Sequence, residues 1–456
     1  MSHGYDVIVI GAGAVGENVA DYATRGGLKV ALVENELVGG ECSYWACMPS
    51  KALLRPGTAL RAALSVEGAK QVIPPQAKLD ISAALARRDG ATSHWDDAGQ
   101  AKWVKSAGID LIRGTANITD VRKVTVDGKV YTARYAIVAA TGSSAFVPDV
   151  PGLRDAKPWT SREATSAKSI PESLIIVGGG VVACEMATAY ASFGAKVTMV
   201  VRGKTLLHGQ EDFAGQLVAE ALEKLGVSLL LDASLSKVER DGTSVTATTQ
   251  DGRTLQASEI LVAAGRTPNT ANLGVQQFKL PTLHGGWLDV DDTLLVRTTD
   301  WLYAVGDVNG RALLTHQGKY QARAAGSVIA ARALGKNLRT DPWGMHVATA
   351  DARVVPQVTF TDPEVASVGL MSQAATQQGI DVKVVDYNLA WLAGSSVYSD
   401  DYKGQARLVI DTSRDVVIGA TFVGPETGEL VHAATIAIVG EVPSNACGML
   451  YPRIPP

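Results

Sequence analysis

The sequence predicts an α/β fold because a short apolar strand, a glycine-rich turn and a helix occur in that order twice, at 7–25 and at 174–193, each followed by a further strand. In the first unit Val7-Ile8-Val9-Ile10 feeds Gly11-Ala12-Gly13-Ala14-Val15-Gly16, and Glu17 to Arg25 reads as a helix. The glycines permit a tight turn and close backbone approach, while the helix N-terminus offers free N–H groups and a positive dipole end to a pyrophosphate. The strand Lys29 to Val33 then ends at Glu34, 23 residues after Gly11, where a carboxylate can accept hydrogen bonds from an adenosine ribose. Strand, turn, helix and acid at this spacing read together as a dinucleotide site.

The second unit runs Leu174-Ile175-Ile176-Val177, Gly178-Gly179-Gly180-Val181-Val182-Ala183 and a helix from Cys184 to Phe193. Its second strand, Val197 to Val201, ends in Arg202 rather than an acid, with Lys204 and His208 close behind. A guanidinium pairs with a 2′-phosphate that a carboxylate would repel, so Arg202 favours NADPH over NADH. The alternative is a solvated arginine on a loop.

At 456 residues with 46% hydrophobic and 19% charged, the chain is long enough for two to four domains with cores of their own. Its 42 Lys and Arg against 46 Asp and Glu leave a net charge of −4, which gives no reason to expect nucleic acid or an anionic membrane as partner. No apolar run approaches the roughly 18 residues of a membrane span, and Met1-Ser2-His3-Gly4 leads directly into the first strand without a signal-like segment. Four cysteines are too few for a disulfide framework, so a reducing, cytoplasmic setting with small-molecule partners is the expectation. No metal site is expected.

Two of those cysteines stand apart in Gly39-Gly40-Glu41-Cys42-Ser43-Tyr44-Trp45-Ala46-Cys47-Met48-Pro49-Ser50-Lys51. Thiols four residues apart at a helix start can close and reopen a small ring. A helix N-terminus and a nearby lysine, here Lys51, both favour a thiolate. Cys184, on a helix face, reads as a small buried hydrophobe, and Cys447 has no such setting.

These residues resemble the pyridine nucleotide-disulfide oxidoreductases, the group holding dihydrolipoamide dehydrogenase, glutathione reductase and mercuric reductase, over Tyr5 to about Val442. Ala140-Thr141-Gly142 is similar to the family's turn out of the flavin domain, and Ala264-Gly265-Arg266-Thr267-Pro268-Asn269 to its counterpart out of the nicotinamide domain. Tyr303-Ala304-Val305-Gly306-Asp307-Val308 resembles the second flavin motif, and Thr361-Asp362-Pro363-Glu364-Val365-Ala366-Ser367-Val368-Gly369 the entry to a dimer domain.

The resemblance implies two Rossmann-like dinucleotide-binding domains, for FAD and NAD(P), and a C-terminal α+β dimerisation domain. It implies an FAD domain over 1–145 returning at 269–336, a nicotinamide domain over 146–268, and an interface domain over 337–456 of a homodimer. Cys42 would exchange with the acceptor, Cys47 would face the flavin, Lys51 would lie near flavin N5 with Glu185 as its partner, and Asp307 would hold the ribityl chain. Gly11, Gly13, Gly16, Glu34, Gly40, Thr141, Gly142, Gly306 and Asp307 fall on the flavin side, and Gly178, Gly180, Arg202, Gly265 and Arg266 on or beside the nicotinamide side. Arg202 follows Glu185 by 17 residues, the family position of a phosphate-binding arginine.

Two departures bear on the acceptor. Ser43-Tyr44-Trp45-Ala46 places aromatic bulk between the cysteines, either packed under the flavin domain or shaping access to Cys42. The family's C-terminal His-Pro segment and downstream Glu, an acid/base pair for thiol exchange, have no counterpart: His432 is the last histidine and sits in a helical stretch. The tail from Cys447 to Pro456 reads as neither helix nor strand, as a shifted reading frame near Ser444 would leave it, which the genomic frame decides. The expectation is an NAD(P)H:disulfide oxidoreductase of dihydrolipoamide dehydrogenase type. The alternatives are a quinone or diaphorase-type reductase, a mercuric reductase, whose extra C-terminal cysteine pair is reduced here to Cys447, and a redox-sensing flavoprotein without turnover.

Overall fold

A computed structural model describes residues 3–447, which divide into two compact units. The expectations for the tail beyond Cys447 lie outside the described residues. Cys447 itself closes the helical turn Ser444–Cys447, correcting the reading of that position as irregular: Pro443 opens the turn and its carbonyl accepts the Cys447 N–H at 3.2 Å.

The first unit comprises 1–49, 89–145 and 266–352. Its sheet is built on β1 (His3–Ile10), β2 (Val30–Glu34), β3 (Asp110–Arg113), β4 (Ala116–Asp120), β5 (Lys123–Val126) and β6 (Lys129–Ala139), in the order β3-β2-β1-β6-β5-β4. The strand Leu302–Ala304 lies parallel to β6. β2 is buried along its whole length, as its continuous apolar run requires of a strand covered on both faces. Helix α1 (Ala14–Arg25) starts three residues earlier than the sequence suggests, because Gly13 in extended conformation caps it. It buries Val19, Ala20 and Ala23 beside Ile8 and Val9, and each large aliphatic in this core contributes about 1.5–3 kcal/mol.

The helix Thr315–Ala333 packs tightly on α1 through small residues: a Cβ at Gly326 would stand 2.6 Å from Tyr22 Cβ, and one at Gly318 2.5 Å from Val15 Cγ2. That close approach brings the first turns of the two helices together.

The second unit comprises 50–88, 146–265 and 353–456. A parallel sheet orders Ser228–Leu230, Lys196–Val200, Ser173–Val177 and Glu259–Val262, and the helix Val181–Ser192 is buried almost throughout. Three antiparallel strands between 235 and 257 form a small sheet beside it. The C-terminal part is a five-stranded antiparallel sheet in the order Gln357–Thr359, Glu364–Gly369, Val416–Gly424, Gln405–Asp411, Val382–Asn388. The helix Leu430–Val439, which carries His432, packs Val431 against this sheet and leaves Ile436 57% exposed. Among the described residues no helix is long and apolar enough to cross a membrane.

Candidate active site

The turn after β1 is a tight cradle with no room for a side chain at two of its glycines. Gly11 has φ +99°, and a Cβ there would meet Ala140 O at 2.4 Å; one at Gly16 would meet Gly11 O at 1.8 Å. Gly13, at the α1 N-cap, faces open space apart from Gly40 Cα at 3.9 Å. Glu34 ends β2 and accepts the Ala12 N–H at 2.7 Å and the Glu36 N–H at 2.8 Å, which fixes its carboxylate beside the helix N-terminus. This arrangement fits the pyrophosphate and ribose of FAD.

On the far side of the cradle, Ser143 Oγ donates to Asp307 Oδ2 at 2.6 Å and Arg266 Nη2 donates to Ser143 O at 2.6 Å. Arg266 Nε stands 3.7 Å from Asp307. Thr141 Oγ1 donates to Asn269 O at 2.9 Å and Asn269 Nδ2 returns a bond to Thr141 O at 2.9 Å, while Asn269 N–H reaches Gly142 O at 3.1 Å. The Gly306 N–H donates to the buried Gln321 at 2.8 Å, so the helix Thr315–Ala333 holds the Asp307 turn. Arg266 thus sits in the first unit with Asp307. The strand pairing Arg266↔Ala145 carries it there. Ser143 and Asn269 were invisible as site residues in the sequence, where each is one polar residue in a turn.

The thiol pair is set by Gly39 and Gly40. Both adopt positive φ, +111° and +59°, and the Gly39 N–H donates to Ala12 O at 2.8 Å, which lays this turn across Gly13. A Cβ on Gly40 would lie 2.7 Å from Gly13 Cα. Cys42 then falls in helix α2 (Gly40–Tyr44) and Cys47 opens helix α3 (Cys47–Leu64), so the pair spans two helices rather than one start. Both are thiols in this structure. Tyr44 is 1% exposed and its hydroxyl donates to Gln100 Oε1 at 2.9 Å; Trp45 stacks edge-on against it at 5.7 Å and is half-buried. Tyr44 therefore packs, and Trp45 is the ring left at the surface of the loop.

Cys47 Sγ lies 3.5 Å from Thr315 Oγ1, at the first residue of the helix Thr315–Ala333. The Cys42 thiol is pushed up by its hydrogen bond to Cys47 and then by burial, against the pull of Thr315 and Lys319. Burial pushes the Cys184 thiol up to about 12, with the Glu185 charge adding to it, which makes Cys184 inert.

Glu17, in the first turn of α1, is raised to about 7 by burial, opposed by Lys319 and reinforced by Glu34. The folded chain therefore binds this proton more tightly than the unfolded one. The stabilisation is complete below about 4.5 and is lost as pH rises through about 7. Urea unfolding of Glu17→Gln is expected to lose this fall, on the order of 3 kcal/mol across that window; an unchanged pH slope contradicts the assignment.

In the second unit Lys51, one helical turn after Cys47 on α3, donates to Glu185 Oε2 at 2.7 Å and Oε1 at 3.0 Å. Glu185 is 3% exposed and also accepts the Phe360 N–H at 3.0 Å, and the Lys51 ammonium lies 4.7 Å from the Phe360 ring centre. Sequence spacing puts Glu185 just past the second glycine turn, where the fold anchors it. In that turn Gly178 has φ +132° with Ala263 O 2.3 Å from a built Cβ, whereas Gly180 has open space, room for a dinucleotide pyrophosphate. Gly265, with φ +136°, turns the chain where its carbonyl accepts the Phe146 N–H at 2.9 Å. Arg202 follows Val201, exposed, as are Lys204 and His208. Among the described residues no three or more metal-ligating side chains converge.

A glycine cradle in each unit and a hydrogen-bonded thiol pair define a dithiol oxidoreductase served by two dinucleotides. Residues 5–327 match the sequence profile described as "Pyridine nucleotide-disulphide oxidoreductase", and residues 355–452 match that of its dimerisation domain. The dihydrolipoyl dehydrogenase of Haloferax volcanii is 32% identical over 453 residues, 96% of this chain and 90% of that protein. The mercuric reductase of Staphylococcus aureus is 30% identical over 443 residues, 95% and 77% respectively. The HOCl-induced flavoprotein disulfide reductase RclA of Escherichia coli, as its Cu(II) complex, shares the fold with a TM-score of 0.84 at 23% identity, covering 100% of this chain and 97% of that one. This chain belongs to the pyridine nucleotide-disulphide oxidoreductases, a family that is FAD-dependent and takes a nicotinamide substrate. Its dimerisation domain supports a homodimer.

Proposed function

We propose that the chain is an NAD(P)H:disulfide oxidoreductase of the dihydrolipoamide dehydrogenase type, working through Cys42 and Cys47 on a small disulfide acceptor. The observation that carries this reading is the thiol pair itself: two adjacent thiols sharing a hydrogen bond, with a hydroxyl at a helix N-terminus against Cys47. Bound FAD supplies the two-electron exchange between nicotinamide and thiols that no side chain can perform. The Gly11–Gly16 turn, Glu34 and Asp307 would hold it, and the Gly178–Ala183 turn would hold the nicotinamide dinucleotide.

The thiol chemistry then balances within the protein. Cys42, as thiolate, attacks one sulfur of the acceptor disulfide, forming a mixed disulfide and releasing the other sulfur as a thiolate that takes up a proton. Cys47 attacks the Cys42 sulfur, closing the Cys42–Cys47 bond and releasing the second acceptor thiolate. The acceptor gains two electrons and the pair becomes a disulfide. The buried Glu185 carboxylate holds the Lys51 ammonium in one orientation.

Exposed Arg202 supports NADPH as the reductant. Arg202→Ala is expected to lower the NADPH to NADH ratio of kcat/KM by about ten- to a hundredfold, the loss of one charge-assisted phosphate contact. An unchanged ratio would move the phosphate site elsewhere. The four-segment division over 1–145, 146–268, 269–336 and 337–456 is part of the same proposal. The class is tested by steady-state oxidation of NADPH and NADH with lipoamide and, separately, with a naphthoquinone. Turnover with lipoamide supports the reading, and turnover with the quinone alone replaces it with a diaphorase-type reductase.

A further inference from the structure

Thr315 and Lys319 stand one turn apart on the same face of the helix Thr315–Ala333, and Thr315 touches the thiol pair. Lys319 is half-buried and has no ion-pair partner among the described residues. Facing it across the tight α1 packing is Glu17, whose Oε1 is buried without a hydrogen bond. A cation and a carboxylate, neither with an ion-pair partner among the described residues, thus border the space beside Cys42 and Cys47. A lysine half out of solvent costs free energy unless it stabilises an anion, and a thiolate is the anion this site has to form.

We propose that Lys319 is a positioning residue that holds a thiolate on the Cys42–Cys47 pair in concert with Thr315, and that Glu17 is the counter-charge tempering it. The inference rests on the Cys42–Cys47 reading above. Its electrostatic sense agrees with the downward pull of Lys319 on both Cys42 and Glu17. The other titratable groups facing this cluster are Glu34 on β2 and Tyr44 on α2, itself held up to about 12 by burial, with Asp97, Glu17 and Asp96 adding and Arg113 opposing. His316 on the same helix is exposed, and Lys51 on α3 is committed to Glu185.

The test is the pH profile of alkylation by iodoacetamide of the dithiothreitol-reduced protein, read at Cys42 and Cys47 by peptide mass, with and without bound FAD. Lys319→Met is expected to raise the midpoint and slow Cys42 alkylation at neutral pH about tenfold, the effect of one pH unit on the thiolate fraction. Lys319→Arg restores the wild-type profile, and Glu17→Gln moves the midpoint down at pH above 7. Superimposable profiles for wild type, Lys319→Met and Glu17→Gln overturn the proposal. So does a shift in Lys319→Met that arginine fails to restore, since that marks lost packing rather than lost charge. Should the methionine variant not fold, the arginine and Glu17→Gln profiles decide alone. Failure of the underlying reading is separately visible: wild-type Cys42 and Cys47 would then not form a bridge under mild oxidation that NADPH reopens.

Discussion

Turnover of a disulfide acceptor falls by about a thousandfold or more in Cys42→Ser, the scale on which losing a nucleophile costs an enzyme its rate. The substitution changes one atom and little volume, so the fold and the flavin cradle stay as they are. A serine hydroxyl has no accessible anion near neutral pH, whereas the thiol lies in a cluster containing Thr315 and Lys319. Cys47 cannot take over the exchange. Its sulfur is engaged by Thr315, and after a first attack it would have no partner to release the product. The measurement is NADPH oxidation with lipoamide on variant and wild type at equal FAD content. Lipoamide turnover that survives in the variant removes Cys42 from the exchange. Quinone turnover equal in both places the electron exit at the flavin.

The second large effect separates two kinds of glycine in one motif. Gly16→Ala forces a Cβ to 1.8 Å from Gly11 O, a backbone atom of the same tight turn that has nowhere to move. The expected cost is about 3 kcal/mol or more, together with loss of FAD during purification. Gly13→Ala meets nothing nearer than Gly40 Cα at 3.9 Å, so the fold should keep its unfolding midpoint, while on the proposed reading FAD affinity drops, because the added methyl would enter the space proposed for the pyrophosphate. Denaturant unfolding of the flavin-free proteins, beside FAD titration, tells the two apart. Equal unfolding midpoints for Gly16→Ala and wild type would contradict the packing role.

The same contrast shows what was readable in advance. Gly11, Gly16 and Gly178 announced themselves because tight turns and close backbone approach leave a residue-type demand that only glycine meets, while Gly13 and Gly180 stood out by spacing alone. Cys42 and Cys47 were legible from spacing, although the break into two helices was not. Left-handed Gly39 and Gly40, pinned to Ala12 and Gly13, decide that break. Lys51 and Glu185 were paired by resemblance alone, since nothing local connects positions so far apart, and the structure brings their charged groups within 2.7 Å. The contacts of Arg266 with Ser143 and Asp307 were not legible, because a two-strand pairing with Ser143–Ala145 decides its neighbours.

What the sequence by itself determined was the local chemistry: two glycine turns between strand and helix, the acid ending β2, the thiol pair, and the arginine after the second unit's second strand. These are short-range demands of backbone conformation, hydrophobic period and spacing. Only the tertiary structure decided which side chains share an electrostatic environment. Thr315 and Lys319 reach Cys42 and Cys47, and Glu17 reaches Lys319, because small residues let two helices some three hundred residues apart in sequence pack closely enough for charges to act on one another.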